Sequence, residues 1–121
     1  MKEKEFEKIT SYDIINKAME EHDELCLKVV DKFVELLAVE SSNLALKTLC
    51  YGGLYLIGGV TSGISKYLAS HETFVKNFYQ KGRLEGKMRQ IPIYMIKDDN
   101  KVGLLGAKEC AQRLQASFLQ N

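Results

Sequence analysis

Cys50-Tyr51-Gly52-Gly53-Leu54-Tyr55-Leu56-Ile57-Gly58-Gly59-Val60-Thr61-Ser62-Gly63 is the stretch that decides the fold. Leu54, Tyr55, Leu56 and Ile57 are apolar at consecutive positions and are bracketed by paired glycines. Such a run reads as one short strand covered on both faces, as in a parallel sheet sandwiched by helices. The Gly58-Gly59 pair at its carboxyl end admits backbone conformations closed to other residues and leaves main chain that another group can approach without meeting a Cβ. Ligands of open α/β sheets gather beyond the carboxyl ends of the strands, where the next helix points its free N–H groups. A ligand is therefore expected at this glycine pair.

Upstream, Thr10-Ser11-Tyr12-Asp13 carries the signals of a helix start: a hydroxyl to accept free N–H groups and an acidic residue at the positive end of the macrodipole. A short helix is predicted to about Met19. The acidic run Glu20-Glu21-His22-Asp23-Glu24 is then either a connection or the first turn of the next helix. From Leu25 the apolar residues Val29, Phe33, Leu36 and Leu37, with a second set at Leu27, Val30 and Val34, recur at helical spacing in a broad stripe. The width predicts a helix buried on more than one side, with its polar residues facing out. Ser41-Ser42-Asn43 interrupts the pattern and offers a place for a kink, but Leu44, Ala45, Leu46 and Leu49 resume it, which predicts one helix to about Leu49.

Downstream, Thr61-Ser62-Gly63 can cap a helix through Ile64, Tyr67 and Leu68, and Ser70 another through Phe74, Val75 and Phe78. Gly82 suits a left-handed helix end, and residues 84–90 read as a short helix or an irregular turn. Pro92 opens a second apolar strand over residues 92–96, where a missing N–H does least harm. Two strands joined by a helical crossover make a parallel, right-handed β-α-β unit, so Lys97-Asp98-Asp99-Asn100 should emerge at the same sheet edge as Gly58-Gly59. A last helix is predicted from about Val102 to Phe118. Gly103 and Gly106 near its start lower helix propensity, which points to a backbone or ligand close by.

Composition sets the outer bounds. The 121 residues suffice for one domain, and a hydrophobic fraction of 45% with 27% charged residues is that of a soluble globular chain. Seventeen basic against sixteen acidic residues, with no basic block, leave no footprint for nucleic acid. The charged beginning Met-Lys-Glu-Lys-Glu-Phe-Glu-Lys is not a secretory signal, and no apolar run has the length of a membrane span; a cytoplasmic location is the expectation. Cys26, Cys50 and Cys110 lack metal-ligand spacing and read as small packing residues, while His22 and His71 read as residues of solvated helix ends, so no metal site is expected.

Residues 58–63 fail the dinucleotide pattern Gly-x-Gly-x-x-Gly, and Ile64 stands where a P-loop needs lysine. A different resemblance runs along the chain. Gly52-Gly53-Leu54-Tyr55-Leu56-Ile57-Gly58-Gly59-Val60 resembles the adenosine segment of bacterial-type glucokinases, in the superfamily of sugar kinases, Hsp70 and actin. Asn43-Leu44-Ala45-Leu46, Lys81-Gly82-Arg83, Ile91-Pro92-Ile93-Tyr94 and Val102-Gly103-Leu104-Leu105-Gly106-Ala107 follow in the order and approximate spacing of that family, so that the likeness extends from about residue 9 to residue 107.

The resemblance implies an α/β fold: part of an actin-like, ribonuclease H-like ATPase domain, with long helices on a parallel β-α-β unit and a helix at the carboxyl end. It implies that residues 1–121 form a single domain, the C-terminal portion of the large domain of a glucokinase. The whole enzyme would transfer a phosphoryl group from Mg-ATP to the 6-hydroxyl of glucose, a glycolytic reaction. Gly58 and Gly59 would lie against the adenosine of ATP; Val60, Thr61 and Ser62 would help to form the base and ribose pocket, with helix capping as the other reading for Thr61 and Ser62. Lys81 and Arg83 fit solvated or structural roles better than phosphate binding, and Tyr51, Tyr55 and Tyr67 fit packing better than base stacking.

Phosphoryl transfer needs a carboxylate at the sugar hydroxyl, a glycine-rich phosphate clamp and a site for Mg²⁺. The sequence contains no Asp-x-Gly-Gly-Thr type turn, no sugar-binding Asn-Asp pair and no Glu-x-Gly-His-like element, so no catalytic residue is assigned. The chain by itself is expected to be inactive, with nucleotide, the remaining N-terminal part of the kinase or a second copy as partners. The alternative is a non-catalytic nucleotide-binding or assembly module that keeps the fold without its chemistry.

Overall fold

Side chains set both helix starts in the first half of the chain. In the computed structural model, which describes residues 8–119, Thr10 Oγ1 accepts the Asp13 N–H at 3.2 Å and the Asp13 carboxylate accepts the Thr10 N–H at 2.8 Å. This reciprocal pair satisfies two donors that a helix start leaves free, and α1 (Ser11–Met19) follows it. Asp23 then accepts the Cys26 N–H at 2.8 Å and opens α2 (Glu24–Thr48). The acidic run is thus split between a connection and a first turn. At about 1.5 Å per residue, the 25 residues of α2 make the single long helix that the apolar spacing predicts. His22 and His71 both stand exposed beside helix ends, and no group of residues among those described could hold a metal ion.

One face of α2 carries the core. Val30, Val34, Ala38, Ser41, Ser42 and Ala45 are buried, and the spacing of 34, 38, 41 and 45 keeps small side chains in line along a single face. α5 (Thr73–Tyr79) lies in that shallow groove and inserts Phe74 and Phe78, which are 3% and 0% exposed. Ser42 Oγ donates to the Phe78 carbonyl at 2.6 Å. The expectation that the polar residues of α2 face solvent is therefore wrong at Ser41 and Ser42: both are buried, and Ser42 meets α5, where a small side chain lets the two backbones approach. Lys81 Nζ donates to Asn43 Oδ1 at 2.6 Å just outside this contact, a structural role.

The stripe that carries Val29, Phe33 and Leu36 is not buried, and α2 is buried on one side only. Leu25, Val29, Phe33, Leu36 and Leu44 are 42–72% exposed, since α1 and α5 occupy only one side of the helix. The central sheet shows the same one-sidedness. β1 (Leu54–Leu56) and β2 (Ile93–Met95) pair in parallel with Leu54 opposite Ile93 and Leu56 opposite Met95, as the β-α-β reading requires. Leu54, Leu56 and Ile93 join the core. Tyr55 and Tyr94 point the other way, stacked with ring centroids 5.0 Å apart and about half exposed. Coverage of both strand faces, expected from the apolar run, is thus absent among the described residues.

The crossover consists of α3 (Gly59–Gly63), α4 (Ser65–Ser70), α5, a 3₁₀ turn (Gly82–Leu84) and α6 (Glu85–Met88). Gly82 has φ +53°, the left-handed conformation expected there. Two capping expectations fail. The first crossover helix begins at Gly59, so Thr61 and Ser62 lie inside it; Ser70 closes α4 by donating to the Lys66 carbonyl at 2.8 Å and does not cap α5. The fold is mostly helical with a small parallel sheet, within the α/β class.

A final helix, α7 (Asp99–Leu119), has no buried residue. A Cβ added at Gly103 or Gly106 would meet nothing within 4 Å, so no neighbouring backbone of the described residues explains these glycines. Cys26 and Cys50 are half-buried against the core as expected, whereas Cys110, on α7, is exposed. These contrasts yield a stability prediction. Phe78→Ala is expected to cost about 3–5 kcal/mol by removing a fully enclosed ring, whereas Phe118→Ala, at a position 77% exposed, should stay within about 0.5 kcal/mol of the parent. Urea denaturation monitored by circular dichroism measures both.

Candidate glycine-turn site

β1 ends at Leu56, and the main chain turns at Gly58 with φ +128° and ψ 158°. This combination is essentially restricted to glycine. The turn delivers Gly59 as the first residue of α3, and an added Cβ at Gly58 or Gly59 would meet nothing within 4 Å. The glycine pair is therefore bare main chain at the carboxyl end of the strand. β2 runs parallel in register, and the Ile96 N–H donates to the Leu56 carbonyl at 2.9 Å. Residues 97–100 consequently leave the sheet at the same end, as the β-α-β reading predicts.

A cleft of about 540 Å³ opens between α1 and the start of the crossover. Gly59, Val60, Ser62 and Gly63 line one wall, with Ser65 and Lys66 beyond them; Tyr12, Ile15, Asn16, Met19 and Glu20 of α1 line the other. Of the five candidate residues, the structure brings Gly59, Val60 and Ser62 to this cleft. Gly58 shapes the turn without lining the cavity, and Thr61 is buried, 8% exposed, on the inner side of α3.

Two buried side-chain oxygens among the described residues have no hydrogen-bond partner: Ser62 Oγ and Asp99 Oδ1. Such atoms are costly unless something satisfies them. Both belong to segments that begin beyond the carboxyl ends of the two strands. A smaller apolar recess of about 160 Å³ lies next to the cleft, between Ile14, Ile15, Val29, Phe33, Val60 and Ile64. The arrangement suits a ligand with a flat or apolar body and a few polar atoms: one wall is main chain and small side chains, the other an amphipathic helix face. No cluster of carboxylates suited to metal binding stands among the described residues.

The α1 wall is absent from the sequence reading. Tyr12, Asn16 and Glu20 recur every four residues, a helical face visible in the sequence, but that it faces a glycine turn some forty residues downstream is a tertiary fact. Lys81 and Arg83 do not line the cleft, in line with their expected structural or solvated roles.

Comparison with known proteins adds a second line. The family described as Glucokinase matches residues 1–114. The chain is 43% identical over 97 residues to a glucokinase of Nostoc punctiforme, 35% over 100 residues to one of Colwellia psychrerythraea and 34% over 89 residues to one of Neisseria meningitidis. These alignments cover 74–83% of this chain but only 27–30% of the relatives. No solved structure gives a significant match.

The turn itself can be tested by two neighbouring substitutions. Gly58→Ala should destabilise the chain by about 1–3 kcal/mol through backbone strain alone, since the space is open. Gly59→Ala, in a helical position with equal space, should be neutral or stabilising by up to about 1 kcal/mol. Paired urea titrations of the two variants supply the comparison.

Proposed function

The chain belongs to the glucokinase family, and from that premise we propose that it is the adenosine-side, C-terminal part of an ATP-dependent glucokinase. In this reading residues 1–121 are one portion of the large, actin-like ATPase domain, and the whole enzyme transfers the γ-phosphoryl group of Mg-ATP to the 6-hydroxyl of glucose in the cytoplasm. No helix among the described residues is long and apolar enough to cross a membrane. The observation that carries the proposal is the bare main chain of Gly59, delivered by the Gly58 turn at the carboxyl end of β1 and opening on the α1–α3 cleft.

The geometry supports a role for each residue in this reading. Gly58 turns the chain, and Gly59 lets the nucleoside reach the backbone without a Cβ between them. Val60 and the recess beside it offer apolar surface to the purine, while Ser62 Oγ, buried and unpaired, is a polar atom available to the base or ribose. Thr61 acts from behind, fixing α3 against the interior. Groups for orienting glucose, clamping the β- and γ-phosphates and holding Mg²⁺ would come from the remainder of the kinase, since the chain spans about 28% of the length of the relatives it matches.

A second reading, an assembly module with a glucokinase-like fold, draws on the uncovered apolar surface: the outer stripe of α2, the Tyr55–Tyr94 face and the exposed Leu104, Leu105, Leu114 and Phe118 of α7. Open strand edges and apolar patches of this kind find partners. Either the rest of the kinase or a second copy of the chain would cover them.

Isothermal titration with ATP separates the readings. Saturable binding to the chain that is abolished by Gly59→Val, with the unfolding midpoint unchanged, is expected for the adenosine site. No binding at millimolar ATP would leave the assembly reading. Coupled assay of the purified chain with glucose and ATP should show no turnover above the no-enzyme control. Sedimentation velocity should show a weight-average mass that rises with concentration; a monomer at every concentration would exclude self-association.

A further inference from the structure

Asp31, in the first third of α2 and away from the cleft, joins three helices through one oxygen atom. Its Oδ1 accepts the Tyr67 hydroxyl from α4 and Thr73 Oγ1, at 2.8 Å, from the first residue of α5. Tyr67 is 5% exposed, and the ring of His71 lies flat on it with centroids 3.9 Å apart. The hydroxyl of Tyr67 and then that of Thr73 hold the Asp31 carboxyl below the ordinary carboxylate value. The acceptor is thus an anion at neutral pH, and hydrogen bonds to ionised groups are roughly twice as strong as neutral ones.

This contact bears on the glycine turn because α3 and α4 have only five and six residues. Helices of that length have no stability of their own in water, so tertiary anchors must place them. The two meet at Ile64, which is buried and not itself helical: its N–H donates to the Val60 carbonyl at 3.1 Å and its carbonyl accepts the Leu68 N–H at 3.0 Å, while within α3 the Ser62 N–H donates to the Gly58 carbonyl at 2.9 Å. α3 has one buried side chain, Thr61, and no side-chain cap. The nearest side-chain hydrogen bond to another helix beyond that junction is that of Tyr67 to Asp31.

We propose that Asp31 is a positioning residue for the glycine-turn site: by holding Tyr67 and Thr73 it fixes α4, and through the Ile64 junction it fixes the wall of the cleft formed by Gly59, Val60 and Ser62. The consequence for nucleotide rests on the adenosine reading above; the mechanical link does not. The test compares Asp31→Leu, which keeps the branched shape in a larger side chain and removes the acceptor, with Asp31→Asn, which keeps both the volume and an acceptor oxygen.

In the full chain, hydrogen exchange of the Ser62 and Ile64 amides is expected to accelerate about tenfold in Asp31→Leu, the loss of roughly one charge-assisted bond. The Leu54 and Ile96 amides, which bond across the strands, should change far less. Asp31→Asn should restore most of the protection. The ATP dissociation constant should rise about tenfold in Asp31→Leu and recover in Asp31→Asn. Equal acceleration at all four amides would reduce Asp31 to a general stabiliser and overturn the proposal, as would unchanged exchange at Ser62 and Ile64. Should Asp31→Leu not fold, Tyr67→Phe, which removes a single hydroxyl, takes its place with the same expected pattern. If the parent chain binds no ATP, the adenosine reading fails by itself, and the exchange comparison still decides the link.

Discussion

The contact of α5 with the small-residue groove of α2 is the constraint on which the rest of the structure depends. Ala38, Ser41, Ser42 and Ala45 leave room for Phe78 to be fully enclosed, and Ser42 answers the Phe78 carbonyl that this close approach would otherwise strand. A larger side chain at any of these positions would push α5 outward, and α5 is the middle of the crossover that returns the chain to β2. Parallel pairing of three-residue strands is too short a ladder to hold itself together. It persists because the crossover between its strands is docked on α2 through α5.

The candidate site inherits its order from that docking. Its essential parts are a glycine turn with no side chain and a five-residue helix with no cap, neither of which carries its own stability. α1 supports the helix from one side, and α4, pinned through Tyr67 to Asp31, supports it from the other. A rigid long helix thus holds short, glycine-rich pieces where main chain can be offered to a ligand. The same economy leaves surfaces unfinished. The outer stripe of α2, the tyrosine face of the sheet and the leucines and Phe118 of α7 are apolar surfaces left uncovered among the described residues. A chain spanning little more than a quarter of its relatives' length is a natural owner of such surfaces.

Much of the site was legible because glycine is informative where it must be glycine. Gly58 adopts a φ and ψ that a Cβ opposes, and its place after four apolar residues marked both the strand end and the turn. The helix start at Thr10 was legible for a similar reason, since a hydroxyl three residues before an aspartate has few other uses. By contrast, Thr61 and Ser62 look like caps in sequence but lie inside a helix that Gly58 starts. Side-chain chemistry alone does not tell a cap from a helical position one turn later.

By itself, the sequence determined the local elements: the two amino-terminal helices, the glycine-flanked strand, the parallel return through residues 92–96 and the bare turn at Gly58-Gly59. It could do so because spacing, capping groups and positive-φ positions act within a few residues of one another. Only the tertiary structure decided which apolar stripe of α2 became the core, why Ser41 and Ser42 face inward, that α1 forms the second wall of the cleft, and that Asp31 reaches across 36 and 42 residues to Tyr67 and Thr73. An apolar periodicity states that a face can be buried, not what arrives to bury it. That depends on which short elements a distant helix holds in place.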